Sequence, residues 1–189
     1  MALDRLYREN ITFLLCEPEA FATRTAPTAA ELNGGTYGWW AWGTGTSRNS
    51  LVHNITCALN EDGTEFTLGD SDTDDSITFC DQANVVTPTF YNPTVSFEAF
   101  RDASKDTSGA GQGEFNEILN MISHPNAEYI AVLRVGKPST TAFAIGDVVK
   151  MVAVRTDYGM DVGGSGENVR IMQTFLNNDF VNWNYKVLA

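Results

Sequence analysis

Apolar and polar residues alternate along much of this chain, and a period of two is the pattern of a β-strand with one buried face. Near the carboxyl end, the apolar residues of Val181–Val187 are separated by asparagines and a lysine. The same alternation runs through Val95–Ala99 and Leu51–Leu59. These three segments therefore predict half-buried strands.

Two other segments, Tyr129–Val135 and Asp147–Arg155, are apolar on both faces. That pattern is typical of central strands that are covered on both sides. Further apolar runs predict short strands, at Ile11–Leu15, Glu65–Leu68, Ile77–Cys80 and Val169–Leu176. The chain is therefore expected to form about eight strands.

A helical period occurs in one segment. Its apolar residues are spaced as on one face of a helix, at Phe115, Ile118, Leu119 and Ile122. The spacing predicts an α-helix over about Gly113–Ser123. The expected fold class is mainly β, an antiparallel β-sandwich or barrel of about eight strands with this one flanking helix.

The 189 residues are predicted to form a single domain, because no internal repeat or break in composition divides them. An N-terminal arm of about residues 1–8 and long loops at about 17–37 and 43–50 are expected. In the first loop, Thr28 and Glu31 have the spacing of a capping box, which predicts a helical turn at Thr28–Leu32. Long loops usually carry function or contact a partner.

The net charge is −12, from 24 acidic and 12 basic residues. A chain of this charge is repelled by phosphate backbones and anionic lipids, which argues against tight nucleic-acid binding and against membrane-surface binding. No segment has the length and composition of a membrane span or a signal peptide. The 3 cysteines lack the spacing of a disulfide framework or a zinc site, which indicates synthesis in a reducing cytoplasm.

The sharpest local feature is an acidic segment. Asp70, Asp72, Asp74 and Asp81 occupy positions 1, 3, 5 and 12 of an EF-hand-like calcium loop. Position 6 is Asp75, however, where the sharp turn needs glycine, and both flanks have strand patterns. A solvated acidic hairpin loop is therefore the preferred interpretation, and a calcium site is the alternative.

Aromatic residues cluster between glycines, at Tyr37, Trp39, Trp40 and Trp42. A buried core strand is one interpretation of this cluster. A protein–protein anchor is another, because aromatic side chains dominate the hot spots of interfaces, and a sugar-stacking platform is a third. His53 lies on an apolar strand face and is interpreted as a core residue. With two histidines, no G-x-S-x-G motif and no Cys–His signature, the sequence gives little support to a catalytic triad.

Four landmarks follow one another along the chain: Pro27–Gly34, the acidic turn Asp70–Ser76 leading into Ile77–Asp81, Arg134–Lys137, and Val169–Phe175. In this order they resemble the major tail proteins, or tail tube proteins, of long-tailed (siphovirus-type) phages of actinobacteria. The matching length supports the resemblance, which extends over most of the chain.

The resemblance implies a β-sandwich whose copies assemble into hexameric rings, and rings that stack into a tube through which phage DNA is ejected. It implies no catalytic residue and no cofactor. The implied partners are other copies of the chain, the tape-measure protein, and the tail tip and tail terminator proteins. DNA would pass through the lumen without specific binding. The protein would lie in the virion tail tube after assembly in the host bacterial cytoplasm, with no membrane contact.

On this interpretation, contacts between copies are assigned to residues of the arm, the first loop and the aromatic cluster: Arg5, Tyr7, Arg8, Leu32, Tyr37, Trp39, Trp40 and Trp42. Contacts between rings are assigned to Met1–Arg8, Glu17–Tyr37 and Gly43–Ser50. The strands around Phe90–Phe100 and Val148–Arg155 are predicted to form the inner wall. Open strand edges would pair with those of the next copy.

Two other functions stay open on the residues alone. A ligand-binding β-sandwich, such as a carbohydrate-binding module, would use Trp39, Trp40 and Trp42 as its stacking platform. A metal-binding enzyme, such as a metal-assisted hydrolase, would be centred on Asp70–Asp81. Within the tail interpretation, both contractile and non-contractile tails remain open.

Overall fold

The computed structural model describes residues 10–34, 51–74, 87–101, 118–119, 121–163 and 168–189. These residues confirm a mainly antiparallel β fold. The strands are β1 Ile11–Cys16, β2 Val52–Asn54, β3 Glu65–Leu68, β4 Asp72–Asp74, β5 Thr87–Phe90, β6 Pro93–Phe100, β7 Glu128–Val135, β8 Val148–Arg155, β9 Met160–Val162, β10 Arg170–Thr174 and β11 Leu176–Lys186. A short helix, α1, spans Ala29–Leu32, and single 3₁₀ turns span Pro18–Ala20 and Thr56–Ala58.

A five-stranded sheet, the central sheet, has the order β11-β8-β7-β1-β2. Its strands β7 and β8 are buried on both faces, which confirms the prediction from their unbroken apolar runs. Neighbouring residues of β7 therefore belong to two different cores, with Ala131 and Leu133 on one face and Ile130 and Val132 on the other.

The first face of the central sheet is covered by a four-stranded sheet of order β3-β6-β10-β9, called here the outer sheet. Aromatic rings fill the space between the sheets. The Phe13 ring lies 6.2 Å from that of Phe66 and 5.6 Å from that of Phe97, measured between centroids. Ile118 and Ile122, which are helical, complete this core, so the helix prediction is confirmed for its described part.

The second face of the central sheet is covered by segments of the chain that lie outside the strands. Phe21, Leu32 and Phe143 pack there against the central sheet. The predicted capping box is confirmed, since Thr28 and Glu31 exchange side-chain and backbone hydrogen bonds at the start of α1. Glu31 also accepts from the backbone N–H of Ala22 at 2.8 Å. The first predicted loop is thus fixed to its own chain along residues 17–34.

Two cross-links attach this cover to the rest of the fold. The Asn33 side chain donates to the carbonyl of Phe143 at 2.9 Å and accepts from its N–H at 2.8 Å. The Tyr185 hydroxyl donates to the carbonyl of Pro27 at 2.8 Å. Because side-chain groups take the place of strand pairing, the cover satisfies buried backbone groups without forming a sheet.

Two predicted strands differ in extent from the observed ones. The strand predicted over Leu51–Leu59 ends at Asn54, because its side chain accepts hydrogen bonds from the N–H and the hydroxyl of Thr56 and starts a 3₁₀ turn. The strand predicted over Val169–Leu176 is confirmed as β10, but it ends at Thr174, and after a corner at Phe175 the next strand, β11, begins at Leu176. The strand predicted at Ile77–Cys80 lies outside the described residues.

Within the described ranges, no helix has the length and apolar character needed to cross a membrane.

Candidate assembly surfaces

The outer sheet has one exposed face. Its inward side chains include Phe66 and Phe97, which are buried in the core between the sheets. Because side chains alternate along a strand, the residues between them point outward. The outward surface near β3 and β6 consists of hydroxyl side chains and one carboxylate: Glu65, Thr67, Thr94, Ser96 and Thr174. This part of the face is polar and carries no positive charge.

The remainder of the outward face holds an ion pair. The Arg170 Nε lies 2.9 Å from Oε1 of Glu98, and the Glu98 side chain is largely covered by the turn at 60–64. The side chain of Asn60 donates to the same carboxylate oxygen at 3.1 Å. At the margin, Arg101 lies 3.0 Å from Asp161. The basic groups of this sheet are therefore directed to carboxylates.

The outer sheet ends in two short edge strands, β3 and β9, and the central sheet ends in β2 and β11. Among the described strands, none pairs with the free side of these four. An unpaired edge presents a row of backbone N–H and C=O groups that another chain can take up. The edges are therefore candidate contacts between copies.

The acidic segment forms part of a small hairpin. Asp72–Asp74 is the strand β4, which pairs with β5, and its side chains are exposed. The Asn92 side chain donates to the carbonyl of Asp70 at 2.9 Å, which ties the base of the hairpin. Beside it, the ring of Phe90 is 69% exposed. The acidic residues are exposed, as the hairpin-loop interpretation predicts, but Asp72–Asp74 form a strand of the hairpin and not its loop.

The alternative of a calcium loop finds no support in the part of the chain that the structure describes. Asp72 and Asp74 lie in an extended strand rather than in a tight loop, and no group of three or more His, Cys, Asp or Glu side chains is placed there to hold a metal ion. Asp81 lies outside the described residues.

A buried arginine organises one end of the central sheet. Arg134, at the end of β7, is 1% exposed. Its Nη2 donates to the Thr12 hydroxyl at 3.0 Å, and its Nη1 lies 3.3 Å from Oδ2 of Asp147. It also donates to three carbonyls of the loop between β7 and β8, those of Pro138, Thr141 and Ala142. We call this arrangement the Arg134 clamp.

Asp147 holds the other side of the clamp. Its Oδ1 lies 2.5 Å from Nζ of Lys137. Burial alone would raise the pKa of Asp147, but hydrogen bonds from Lys137, from the N–H of Ala144 and from Arg134, together with the charge on Lys137, hold that pKa below its usual range. Burial lowers the pKa of Arg134, and the contact with Asp147 opposes that change.

The clamp predicts a pH dependence of stability. Because the pKa of Asp147 is lower in the folded chain than in the unfolded chain, ionised Asp147 stabilises the fold at neutral pH. That contribution should be lost as the pH falls through the acidic range below the ordinary aspartate pKa. Urea unfolding at a series of pH values would measure it. The Asp147→Asn variant should be less stable at pH 7 and show a shallower acid dependence. If the free energy of unfolding of the two proteins fell equally with decreasing pH, the prediction would be contradicted.

The residues assigned to contacts between copies are only partly within the described structure. Arg5, Tyr7, Arg8, Tyr37, Trp39, Trp40 and Trp42 lie outside it, so their assignment stays a prediction. Leu32 is fully buried in the core on the second face of its own central sheet. In this position it supports α1, and its side chain is not offered to another copy.

The strands assigned to an inner wall differ from each other. β8 is covered on both faces by its own chain, which does not fit a strand that faces a channel. β6 has one buried and one outward face, which does fit. His53 is buried, with its Nε2 4.0 Å from Oε1 of Glu17, in agreement with a core residue.

No local sequence pattern predicts the Arg134 clamp or the full extent of the polar face of the outer sheet. Arg134 stands out only as part of the Arg134–Lys137 landmark, and its burial depends on Thr12 and Asp147, which are distant along the chain. For the outer sheet, the alternation of Val95–Ala99 predicts an exposed face, but its extent depends on the pairing with β3 and β10.

Comparison with known proteins agrees with an assembly function. The family model described as phage tail tube protein matches residues 1–189. No curated protein gives a significant match. Because the family match spans the entire sequence, this chain belongs to the phage tail tube protein family and is a structural protein of the virion tail.

Proposed function

We propose that this chain is the tail tube subunit of a long-tailed phage of actinobacteria, and that its copies form stacked hexameric rings around a channel for DNA. The observation that carries the proposal is the exposed face of the outer sheet, which lies between two open edge strands. Family membership supports self-association into a tube with other tail components.

The outer sheet is the sheet suited to line the channel. Both faces of β7 and β8 in the central sheet are covered by the same chain, whereas the outer sheet exposes Thr67, Thr94 and Thr174. DNA is held mainly through contacts of lysine and arginine with phosphates. This face offers hydroxyl groups and Glu65, and its Arg170 is paired with Glu98, so the duplex slides along it.

Pairing between the edge strands of neighbouring copies would join their outer sheets into a closed wall. When β3 of one copy pairs with β9 of the next, the sheet continues from subunit to subunit. Closure into a barrel satisfies the backbone groups of every edge strand, as it does in single-chain barrels. Each copy would contribute the four strands of its outer sheet.

The function of this subunit is mechanical, without catalysis and without a cofactor. Its further partners are the tape-measure protein and the tail tip and tail terminator proteins. DNA passes through the channel without specific binding. The high negative charge of −12 supports this role, because the chain repels the phosphates that it must not hold.

Negative-stain electron microscopy of the purified, concentrated protein tests the proposal. We expect hollow tubes with a regular axial repeat, and sedimentation velocity should show loss of the monomer as concentration rises. A chain that stays monomeric at every concentration in both measurements would contradict self-assembly. In that case a shift of tryptophan emission on adding oligosaccharide would favour a carbohydrate-binding β-sandwich.

A further inference from the structure

The two ends of the central sheet carry opposite charges. At the end where β7 finishes and β8 begins lie Lys137, Lys150 and Lys186, three of the four lysines of the chain. Arg134 is also there, and Asp147 offsets one of these positive charges. We call this surface the lysine end.

The opposite end, where β7 begins and β8 finishes, is acidic. Four carboxylates gather there, those of Glu17, Glu19, Glu128 and Asp157. The two arginines at this end are both directed to Glu128, with Arg155 at 2.6 Å and Arg24 at 3.9 Å. A shallow pocket of about 370 Å³ opens between the carboxylates and Tyr129. We call this surface the glutamate end.

Both ends also expose apolar side chains. At the lysine end, Ile145 is 68% exposed, and Val135, Val148 and Leu188 are exposed near it. The pairing of Arg134 with Val149 places Val135 opposite Val148 on the last rung of the sheet. At the glutamate end, Tyr158 is 74% exposed and Leu176 is half exposed. Exposed apolar groups beside charges are typical of contact surfaces between proteins.

We propose that the lysine end of one copy docks against the glutamate end of its neighbour in the ring, with Ile145 entering near the acidic pocket. This inference rests on the proposed function, because it adds a second contact between neighbouring copies to the proposed pairing of β3 with β9. Because the lysine end is positive and the glutamate end is negative, the partner that fits each end is a second copy of this chain. Two chains of net charge −12 repel each other, so association is favoured where positive and negative surfaces meet.

The contact cannot form within one chain. The two ends lie on opposite ends of the same strands, and β7, with 8 residues, is about 23 Å long at about 3.3 Å per residue. A contact between two different surfaces is head-to-tail, and its repetition closes into a ring or continues as a filament.

In this contact the Arg134 clamp would hold the loop of the lysine end in place. It fixes the loop that carries Ile145 and Lys137 through hydrogen bonds to three loop carbonyls. A loop that is already ordered loses less conformational entropy on binding than a flexible one. The buried arginine is therefore a positioning residue for the lysine end.

Disulfide trapping tests the contact directly. Ile145→Cys and Glu19→Cys are combined in a chain in which Cys57 and Cys80 are replaced by serine, while the buried Cys16 is kept. A disulfide requires Cα atoms within about 7 Å, so a bond between positions 145 and 19 must join two copies. We expect a ladder of cross-linked multimers on a non-reducing gel after oxidation. The control pair, Ile145→Cys with Asp62→Cys on the turn beside the outer sheet, should give none.

A charge exchange provides a second test. Lys186→Glu and Glu19→Lys, each alone, should raise the concentration for half-maximal assembly by about three- to tenfold, and the double variant should return it toward the wild-type value. Asp62→Lys, a reversal outside the contact, should not show this pattern.

The outcomes separate the two proposals. Tubes that assemble without cross-links above the control pair, or charge variants that assemble like wild type, would overturn this contact and leave the tube function standing. A wild-type chain that never self-associates would overturn the tube function, and the contact with it.

Discussion

Replacing Arg134 with methionine should lower the free energy of unfolding by about 3–5 kcal/mol, as is typical when one partner of a buried ion pair is removed. Methionine fills much of the arginine volume but donates no hydrogen bond. The Thr12 hydroxyl and the loop carbonyls would lose their donor, and Asp147 would keep its contacts with Lys137 and with the N–H of Ala144. Urea denaturation followed by tryptophan fluorescence would measure the loss.

The matched control for Arg134 is the same substitution at Arg155. Arg155 also contacts a carboxylate, with its Nη2 2.6 Å from Oε1 of Glu128, but its side chain is 39% exposed. Exposed ion pairs stabilise proteins by at most about 1 kcal/mol, so Arg155→Met should have a small effect. Equal losses of stability in the two variants would show that the clamp contributes no more than a surface pair.

Placing lysine on the outward face of the outer sheet should make assembled tubes retain DNA. Thr94 and Thr174 are exposed there, and six copies carrying Thr94→Lys and Thr174→Lys would add twelve positive charges to each proposed ring. A protein with 6–10 phosphate contacts loses about 10³-fold or more in affinity between 50 and 200 mM salt. Retention should therefore be strong at low salt and absent at high salt.

The measurement is nuclease protection of short duplex DNA that is present during assembly. Wild-type tubes should protect almost none, because Arg170, the basic residue on the described outward face of β10, is already paired with Glu98. The control variant carries Thr23→Lys and Thr25→Lys, two exposed threonines of the cover on the second face of the central sheet. It should bind DNA on the outside, where nuclease digests it. Equal protection by both variants would contradict the assignment of the lumen face.

Sequence patterns predicted the parts of this fold that depend on local periodicity. The unbroken apolar runs of β7 and β8 predicted central strands, and the spacing of Thr28 and Glu31 predicted the cap of α1. The strand at Leu51–Leu59 was wrong because the Asn54 side chain competes with the backbone ladder. Alternation of apolar and polar residues did not predict β9, because this strand has only 3 residues and lies between Gly159 and Gly163.

Surface assignments depended on pairing between distant segments, which periodicity does not reveal. The acidic segment at Asp72–Asp74 was predicted to be exposed, because charged groups avoid the core. Leu32 was assigned to a contact between copies although it is buried under the second cover. The opposite charges of the two sheet ends become visible only when β7, β8 and β11 are in register.

The two covered faces of the central sheet have a consequence for the order of events in the infected cell. The hydrophobic cores on both faces are built from a single chain, so folding does not wait for a neighbour. Newly made subunits can accumulate in folded form while tail construction has not yet begun. On the proposed function, tube growth would then draw on a supply of folded subunits, and its start would be controlled by the first contact between subunits rather than by the folding of each one.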